Sequence, residues 1–318
     1  MKNNKSKSKI IFIGTPEFGA AILRKMIESK FKPALVITVP DKPVGRKQVI
    51  TPPPVKITAN KYDIPLLQNE KISNLKSQIL KSEPDLIVVA GCGQIIPKDI
   101  LEIPEHGSLN VHPSLLPKYR GCSPIHSTIL NGEKETGVTI ILMNEKIDQG
   151  PIVAVSRLTI GDSKMTTKEL EEKLTDLGAE LLIKTISQWL KGKIKARTQD
   201  ESKATYTRTL IKETGFIDWT KSAQEIERQI RAFCDCPGAF CKMNNKIIKI
   251  WKASINNKTE NGPKGIPGKT YMAPNDKIAV QCGKDYLIIE EFQFEGKRKM
   301  KVEEFLKGNI NFIGKILK

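Results

Sequence analysis

The first part of the chain alternates short apolar runs with amphipathic stretches, and this alternation restricts the fold more than any other feature. Apolar runs of strand length and segments of helical spacing follow one another at 10–13, 18–27, 34–39, 72–80, 85–90 and 108–112. Strands that are apolar throughout are typical of parallel sheets covered on both faces. The pattern therefore predicts an α/β fold with a Rossmann-like, mostly parallel sheet. Two further strands, 136–143 and 151–158, and a long helix, 168–190, complete this part.

The pattern changes towards the end of the chain. After a polar stretch come one helix and several short strands separated by Gly, Pro and Asn turns, at 223–232, 239–243, 247–253, 278–282 and 286–292. Short strands with such turns favour a small β-barrel or a sandwich. We therefore expect a catalytic domain over 1–194, a linker over 195–206 and a C-terminal domain over 207–318.

Composition narrows the class of protein. Hydrophobic residues make up 39% and charged residues 27% of the 318 residues, as in an ordinary globular protein. No run approaches the roughly 20 apolar residues that span a bilayer. A basic start is followed by an apolar run, 10–13, that is too short for the core of a signal peptide. We expect a cytoplasmic protein that does not enter a membrane.

The net charge of +17 comes from 52 basic and 35 acidic side chains. Such a surface favours polyanions, because neutralising phosphates releases counterions. Only nine of the basic residues are Arg. Biased codon usage gives the same lysine excess, so a nucleic-acid partner and a simple compositional bias both stay open.

The six cysteines show no framework spacing, and in a chain of this size we expect reduced thiols. The densest group is Cys234, Cys236 and Cys241. It lacks a nearby His and adjoins Pro237-Gly238, which is turn chemistry, so no metal site is expected.

Asn110 and His112 end a predicted buried strand. Side chains two apart on a strand point the same way, so both face one cleft at the carboxyl end of the sheet, where open α/β sheets bind ligands. An amide and an imidazole together suit stabilisation of an oxyanion and handling of a proton. A structural strand end with satisfied polar groups is an equally good interpretation.

Two segments near this pair carry further candidates. The loop 114–121 follows directly and offers backbone donors and a cation that suit a planar, anionic cofactor; a surface loop with buried leucines is the alternative. Asp148 lies in a turn between two predicted strands. A carboxylate there suits orientation of His112 and favours its protonated form, although Asp-x-Gly alone is usually a turn.

Together these residues resemble the folate-dependent formyltransferases. The matching segments, which cover nearly the whole chain, are 12–18 (FIGTPEF), 40–46 (PDKPVGR), 93–97 (GQIIP), 110–121 (NVHPSLLPKYRG), 135–139 (ETGVT), 215–219 (GFIDW), 230–233 (IRAF) and 249–253 (KIWKA). The resemblance implies a 10-formyltetrahydrofolate donor and no metal. It implies a catalytic centre of Asn110, His112 and Asp148, in which Asn110 and His112 stabilise the oxyanion and Asp148 holds His112. It also implies folate contacts from Gly93, Gln94, Ile95, Ile96, Ser114, Leu115, Leu116 and Pro117.

The second-domain matches imply an acceptor. They are similar to the oligonucleotide-binding (OB-like) barrel of those family members that formylate the α-amino group of initiator methionyl-tRNA, typically as monomers. Arg46, with Lys47 beside it, occupies the key basic position of the family's tRNA-contacting loop. Residues 208–318 hold 21 basic and 13 acidic residues, which agrees with an RNA-binding domain. The alternatives are formylation of a sugar amine or another small amine, and an RNA-binding protein with a degenerate catalytic fold.

Overall fold

The computed structural model describes residues 8–45, 47–256 and 265–318, which form two compact units. The first unit holds the residues up to Pro124 together with Glu135–Ile160 and Glu171–Arg208. The second holds Ile125–Lys134, Gly161–Leu170 and Thr209–Lys318. The segment 195–206, expected as a linker, therefore belongs to the first unit.

The chain up to residue 208 forms nine strands and six helices within its described part. They are β1 (Ile10–Gly14), α1 (Glu17–Glu28), β2 (Leu35–Thr38), β3 (Lys42–Val44), β4 (Val49–Thr51), α2 (Pro54–Lys61), β5 (Leu66–Gln68), α3 (Lys76–Lys81), β6 (Leu86–Ala90), α4 (Lys98–Leu101), β7 (Ser108–His112), α5 (Pro124–Leu130), β8 (Glu135–Leu142), β9 (Ile152–Thr159) and α6 (Thr167–Trp189). Short 3-10 helices lie at Ile72–Leu75 and Glu201–Lys203.

Seven of these strands form one sheet in the order β5-β2-β1-β6-β7-β8-β9. The pairs from β5 to β7 are parallel, and β8 and β9 join antiparallel. Strands β1, β6 and β7 are buried at every residue. Their apolar side chains repeat because both faces of the sheet are covered, which is the reason the runs are continuous in the sequence.

Two central strands, β1 and β6, lie very close together at their carboxyl ends. A Cβ on Gly14, where β1 ends, would lie 2.5 Å from the carbonyl oxygen of Ala90, where β6 ends. Only glycine allows this approach of one strand end to the next. The loops that follow β1 and β6 therefore leave the sheet side by side.

The rest of the chain forms the elements α7 (Ala223–Ala232), β10 (Phe240–Met243), β11 (Lys246–Asn256), β12 (Thr270–Ala273), β13 (Lys277–Gln281), β14 (Tyr286–Phe294), β15 (Met300–Lys301) and α8 (Val302–Leu306). The strands pair antiparallel in the order β10-β11-β14-β13-β12, with β15 on β14. The hydrophobic core of this part of the chain includes Ile226 and Ile230 of α7, together with Phe292 and Phe312.

The last residues of the chain join both edges of this second sheet. Lys318 exchanges two backbone hydrogen bonds with Lys242 of β10, at 2.6 and 2.8 Å. Leu317 donates to Gly268 at 2.9 Å, and Thr270 of β12 donates to Lys315 at 2.8 Å. The C-terminal segment thereby closes the sheet as a small barrel, which leaves no long unpaired edge.

The predicted fold class, a Rossmann-like mostly parallel sheet followed by a small β-barrel, is confirmed. Most element bounds agree with the sequence within two residues. The segment 41–54, for which the sequence predicted no strand, contains the β3-β4 hairpin. Its strand residues are all exposed, so no burial pattern marks them. Within the described residues, no helix is both long enough and apolar enough to cross a membrane.

Candidate active site

Asn110 and His112 lie on β7 in the middle of the first sheet. Asn110 pairs with Val89 of β6 on one side and Ile141 of β8 on the other. The two polar side chains are buried, with 8% of Asn110 and 4% of His112 exposed. Groups so far from water need partners inside the protein.

Asp148 supplies those partners. Its Oδ1 accepts a hydrogen bond from Asn110 Nδ2 at 3.2 Å. Its Oδ2 accepts one from the Gly121 N–H at 2.8 Å and lies 3.5 Å from His112 Nδ1. One carboxylate thus contacts both strand residues and the loop that follows them. The structure brings Asn110, His112 and Asp148 together, as the sequence predicted.

The second ring nitrogen of His112 has its own partner. Nε2 lies 2.9 Å from the carbonyl oxygen of Tyr119. A carbonyl only accepts, so the network assigns the hydrogen of this bond to Nε2. Nδ1 then faces the Asp148 carboxylate.

Buried hydrogen bonds hold the loop 114–117 in place. Ser114 is fully buried and donates through its Oγ to the Lys118 carbonyl at 2.7 Å. Thr139 Oγ1 donates to the Ser114 carbonyl at 2.7 Å and accepts from the Leu116 N–H at 3.1 Å. Leu116 is also buried, whereas Leu115 and Pro117 are half-buried. Of the four predicted cofactor residues here, Leu115 and Pro117 have side-chain surface available for a ligand.

In the loop 93–96, which follows β6, two residues anchor the loop to the protein and two are exposed. Gln94 Oε1 accepts from the Ile72 N–H at 2.9 Å, and Ile96 is buried in the core below the sheet. By contrast, 72% of Ile95 is exposed, and a Cβ on Gly93 would have no neighbour within 4 Å. Gln94 and Ile96 therefore anchor this loop, and Gly93 with Ile95 leaves an open apolar surface.

The β3-β4 hairpin carries the predicted tRNA contacts. Arg46 lies outside the described residues, and Lys47 is exposed in the turn. At the hairpin base, Asp41 accepts hydrogen bonds from Gln68 at 3.0 Å and from Lys56 at 2.8 Å. These two bonds, Gln68 first, hold the pKa of the Asp41 carboxyl below its usual range. The base is thus an ion pair that fixes where the hairpin leaves the fold.

Arg120 is not available to an anionic ligand. Sequence reasoning placed a cation of the loop 114–121 beside a cofactor, yet the Arg120 side chain is fully buried. Its guanidinium donates to Glu201, Gln199 and Tyr206, at distances from 2.7 to 3.2 Å. Acceptors from the segment 199–206 surround Arg120, so this residue is not the cation of the loop that contacts a ligand. The polar composition of that segment was the available signal.

The cysteines and acidic groups show no metal centre. No cluster of three or more His, Cys, Asp or Glu residues suited to a metal occurs in the part of the chain that the structure describes. All six cysteines lie in that part, and none forms a disulfide.

Both units match known protein families. Residues 8–186 match the formyl transferase family, and residues 209–309 match the formyl transferase C-terminal domain. The methionyl-tRNA formyltransferase of Halalkalibacterium halodurans is 43% identical over 303 residues, which cover 94% of each chain.

Solved structures with lower identity share the fold. HypX from Aquifex aeolicus, solved with tetrahydrofolic acid, has a TM-score of 0.63 at 16% identity, covering 97% of this chain and 48% of HypX. An N-formyltransferase from Helicobacter canadensis, solved with folinic acid and dTDP-3-aminofucose, has a TM-score of 0.61 at 20% identity, covering 92% of this chain and 100% of that chain. The matches over both units and the identity to a relative of equal extent lead to one conclusion: the chain belongs to the formyl transferase family, among the methionyl-tRNA formyltransferases.

Proposed function

We propose that this chain transfers the formyl group of 10-formyltetrahydrofolate to the α-amino group of initiator methionyl-tRNA, giving N-formylmethionyl-tRNA for translation initiation. The observation that carries the proposal is the group of Asn110, His112 and Asp148, joined at the carboxyl end of a formyl transferase sheet. We further propose that the protein acts in the cytoplasm as a monomer.

Asn110 is the oxyanion donor in this mechanism. The donor cofactor supplies an activated formyl carbon. As the amine attacks that carbon, negative charge develops on the formyl oxygen. Asn110 donates one amide hydrogen to Asp148, and in this mechanism its second amide hydrogen donates to the oxyanion. A donor already oriented by Asp148 stabilises this charge without rearranging, which is the main source of such catalysis.

His112 and Asp148 manage charge and protons. The His112 Nε2–H donates to the Tyr119 carbonyl, so direct donation to the oxyanion requires exchange of that carbonyl for the substrate oxygen. Asp148 faces Nδ1 and keeps the ring oriented during this exchange. The attacking amine becomes cationic, and Asp148 is the nearby carboxylate that would accept its proton, directly or through water. The bond between the formyl carbon and the donor nitrogen would then break, and tetrahydrofolate would leave with a proton on that nitrogen.

The pterin end of the donor fits the open surface of Gly93 and Ile95, with Leu115 and Pro117 on the loop after β7. These residues are apolar; Gly93 and Ile95 are exposed, and Leu115 and Pro117 are half-buried. Gln94, Ile96, Ser114 and Leu116 shape this surface from below. Because Ile95 is exposed, Ile95→Asp leaves folding intact. It raises the KM for the donor and leaves the KM for tRNA unchanged.

The acceptor tRNA is assigned to two basic regions. Lys47 in the hairpin turn, and Arg46 next to it in the sequence, contact the acceptor arm. The C-terminal domain, 207–318, holds 21 basic against 13 acidic residues between 208 and 318 and binds the phosphate backbone. In this division, 1–194 is the catalytic domain and 195–206 connects the two.

The test is a formylation assay with 10-formyltetrahydrofolate and three acceptors: charged initiator tRNA, charged elongator methionyl-tRNA and a free amino sugar. We expect turnover on the initiator tRNA, with much lower kcat/KM on the other two. Formylation of the sugar but not of tRNA would contradict the proposed acceptor. Tight tRNA binding without turnover would contradict the catalytic role.

A further inference from the structure

A strap, which we define as residues 197–207, runs along the loops of the active site. Arg197 exchanges backbone hydrogen bonds with Ile152 of β9 at 2.7 and 2.8 Å. At its other end the strap pairs with Arg120, which donates to Thr205 at 2.9 Å and accepts from Thr207 at 2.8 Å. All of these residues belong to the first unit. The strap is therefore fixed at both ends, beside the turn that carries Asp148 and the loop that carries Gly121.

Gln199 of the strap forms hydrogen bonds with the turn that carries Asp148. Only 5% of Gln199 is exposed. Its Nε2 donates to the backbone carbonyls of Asp148 and Gly150, both at 2.7 Å. Its Oε1 accepts from Arg120 Nε at 3.2 Å and Nη2 at 2.9 Å. Because a guanidinium only donates and a carbonyl only accepts, the amide has one possible orientation.

The buried Arg120 holds Gln199 in that orientation. Its charge is balanced by Glu201, whose two carboxylate oxygens lie 2.9 and 2.7 Å from Nη1 and Nη2. Arg120 Nη1 also donates to the Tyr206 hydroxyl at 2.9 Å, and that hydroxyl accepts from Gln149 Nε2 at 2.9 Å. The strap thus contacts all three residues of the turn 148–150.

Asp148 needs this support because of its backbone. Its φ is +51°, in the left-handed region that residues other than glycine rarely adopt. That conformation directs the carboxylate to Asn110, Gly121 and His112. Loss of the two bonds from Gln199 would leave two carbonyls of the turn without their donor. The turn would then be free to relax, and the carboxylate would move away from its partners.

We propose that Gln199, backed by Arg120, is a positioning residue that acts on catalysis through Asp148. This inference rests on the proposed function of Asn110, His112 and Asp148. It assigns the segment 197–207, which belongs to the first unit, a role in positioning the carboxylate of Asp148.

The test uses Gln199→Glu in the full chain. Glutamate keeps the acceptor for Arg120 but loses both donated hydrogen bonds. We expect kcat to fall about 10- to 100-fold, the scale of a reacting group displaced by about 1 Å, with the KM for methionyl-tRNA within about twofold of wild type. In the Asp148→Asn background the same substitution should lower kcat by less than about threefold, since there is no carboxylate left to position.

Gln229→Glu is the matched control. Gln229 lies in the second unit, is 9% exposed and donates through Nε2 to two backbone carbonyls, of Thr214 at 3.2 Å and Phe216 at 2.9 Å. Its loss should lower stability and leave kcat unchanged. An equal fall of kcat in both variants would show a general effect of stability and overturn the inference.

Hydrogen exchange separates this inference from the proposed function. The Gly121 amide donates to Asp148, so Gln199→Glu should speed its exchange, whereas Gln229→Glu should not. Unchanged Gly121 exchange or unchanged kcat would overturn the positioning role. The inference would also be overturned if Gln199→Glu lowered kcat as strongly in the Asp148→Asn background as in the wild type. If the wild-type chain fails to formylate methionyl-tRNA, the proposed function fails, and the exchange of Gly121 still decides whether Gln199 holds Asp148.

Discussion

Single polar residues in buried places decide the chemistry of this site. Asn110 and His112 occupy a strand in which every residue is buried, where an unpaired polar group costs about 1–3 kcal/mol. Asp148 removes that cost by contacting both of them and the Gly121 N–H. In the proposed mechanism, the same carboxylate that stabilises the fold locally also aligns the reacting residues.

Asp148→Asn tests this residue directly. The amide has one accepting oxygen in place of two, so it cannot keep both hydrogen bonds from Asn110 and Gly121, and it cannot take a proton from the amine. We expect kcat for formylation to fall at least about 100-fold, the usual contribution of a positioned acid or base. Asp99→Asn, on an exposed ion pair with Lys76, is the control. A rate near that of wild type would remove Asp148 from the mechanism.

The reactivity of the thiols should decrease as their burial increases. Cys122 and Cys236 are exposed, whereas Cys241 and Cys282 are buried. Burial raises the pKa of the Cys241 and Cys282 thiols to about 12. Iodoacetamide near pH 8, followed by peptide mass spectrometry, should label the first two in the folded protein and the last two only in denaturant. Labelling of Cys241 without denaturant would contradict the described core.

The same shift predicts a pH dependence of stability. The folded-state pKa lies above the ordinary value of 9.0, so the unfolded chain releases these protons first. The free energy of unfolding should therefore fall as the pH rises from about 9 to about 12. Urea unfolding at pH 8 and pH 10 measures this loss. Cys241→Ala should reduce the loss between the two pH values; an identical loss would show that other groups cause it.

At the scale of elements, local capping and distant support work together. Helix α7 begins with a reciprocal cap, in which Ser222 Oγ accepts from the Glu225 N–H and Glu225 Oε2 accepts from the Ser222 N–H. Its buried face then contacts the sheet of the second unit. The hairpin β3-β4 shows the opposite case, since its strands are exposed and only its base is fixed, by Asp41 and Lys56.

Ser222→Ala should lower the free energy of unfolding by about 1 kcal/mol, the usual loss for an N-cap. The Ser222 hydrogen bonds hold the pKa of Glu225 below its usual value, so their stabilisation is present above about pH 4.5 and is lost as the pH falls. Urea unfolding, followed by the fluorescence of the buried Trp219, measures both effects. Ser222→Thr keeps the cap and should retain most of the stability. Equal stability of Ser222→Ala and wild type would contradict the cap.

For the whole molecule, charge is the property that governs association. A net charge of +17 on 318 residues attracts a polyanion from a distance and is screened by salt. This term adds affinity for any RNA without reading its sequence. In the proposed function, the excess charge therefore contributes to the strength of tRNA binding.

The KM for methionyl-tRNA should therefore depend steeply on salt. We expect it to rise about tenfold or more between about 50 and 200 mM salt, because several phosphate contacts release counterions. The KM for the folate donor, a small molecule bound partly through apolar surface, should change by less than about threefold. A tRNA KM that is independent of salt would contradict binding through the basic surface.

Local patterns in the sequence determined much of this protein. Continuous apolar runs predicted the parallel strands, because burial on both faces leaves no polar positions. The spacing of two residues on β7 predicted that Asn110 and His112 share one side. The change to short strands with turns predicted the second, barrel domain. Each of these properties follows from neighbours in the chain, and a periodic pattern records it.

The tertiary structure decided what joins these parts. Asp148 meets Asn110 and His112 from 38 and 36 positions along the chain, through a left-handed turn that no periodicity encodes. Arg120 and Gln199 are polar residues in polar segments, and the sequence predicted a cofactor-binding loop around the first and a linker around the second. The fold buries both, because each satisfies the other across 79 residues of chain. Contacts between distant segments depend on how the strands and loops are arranged in space, and that arrangement made a polar segment into the support of the active site.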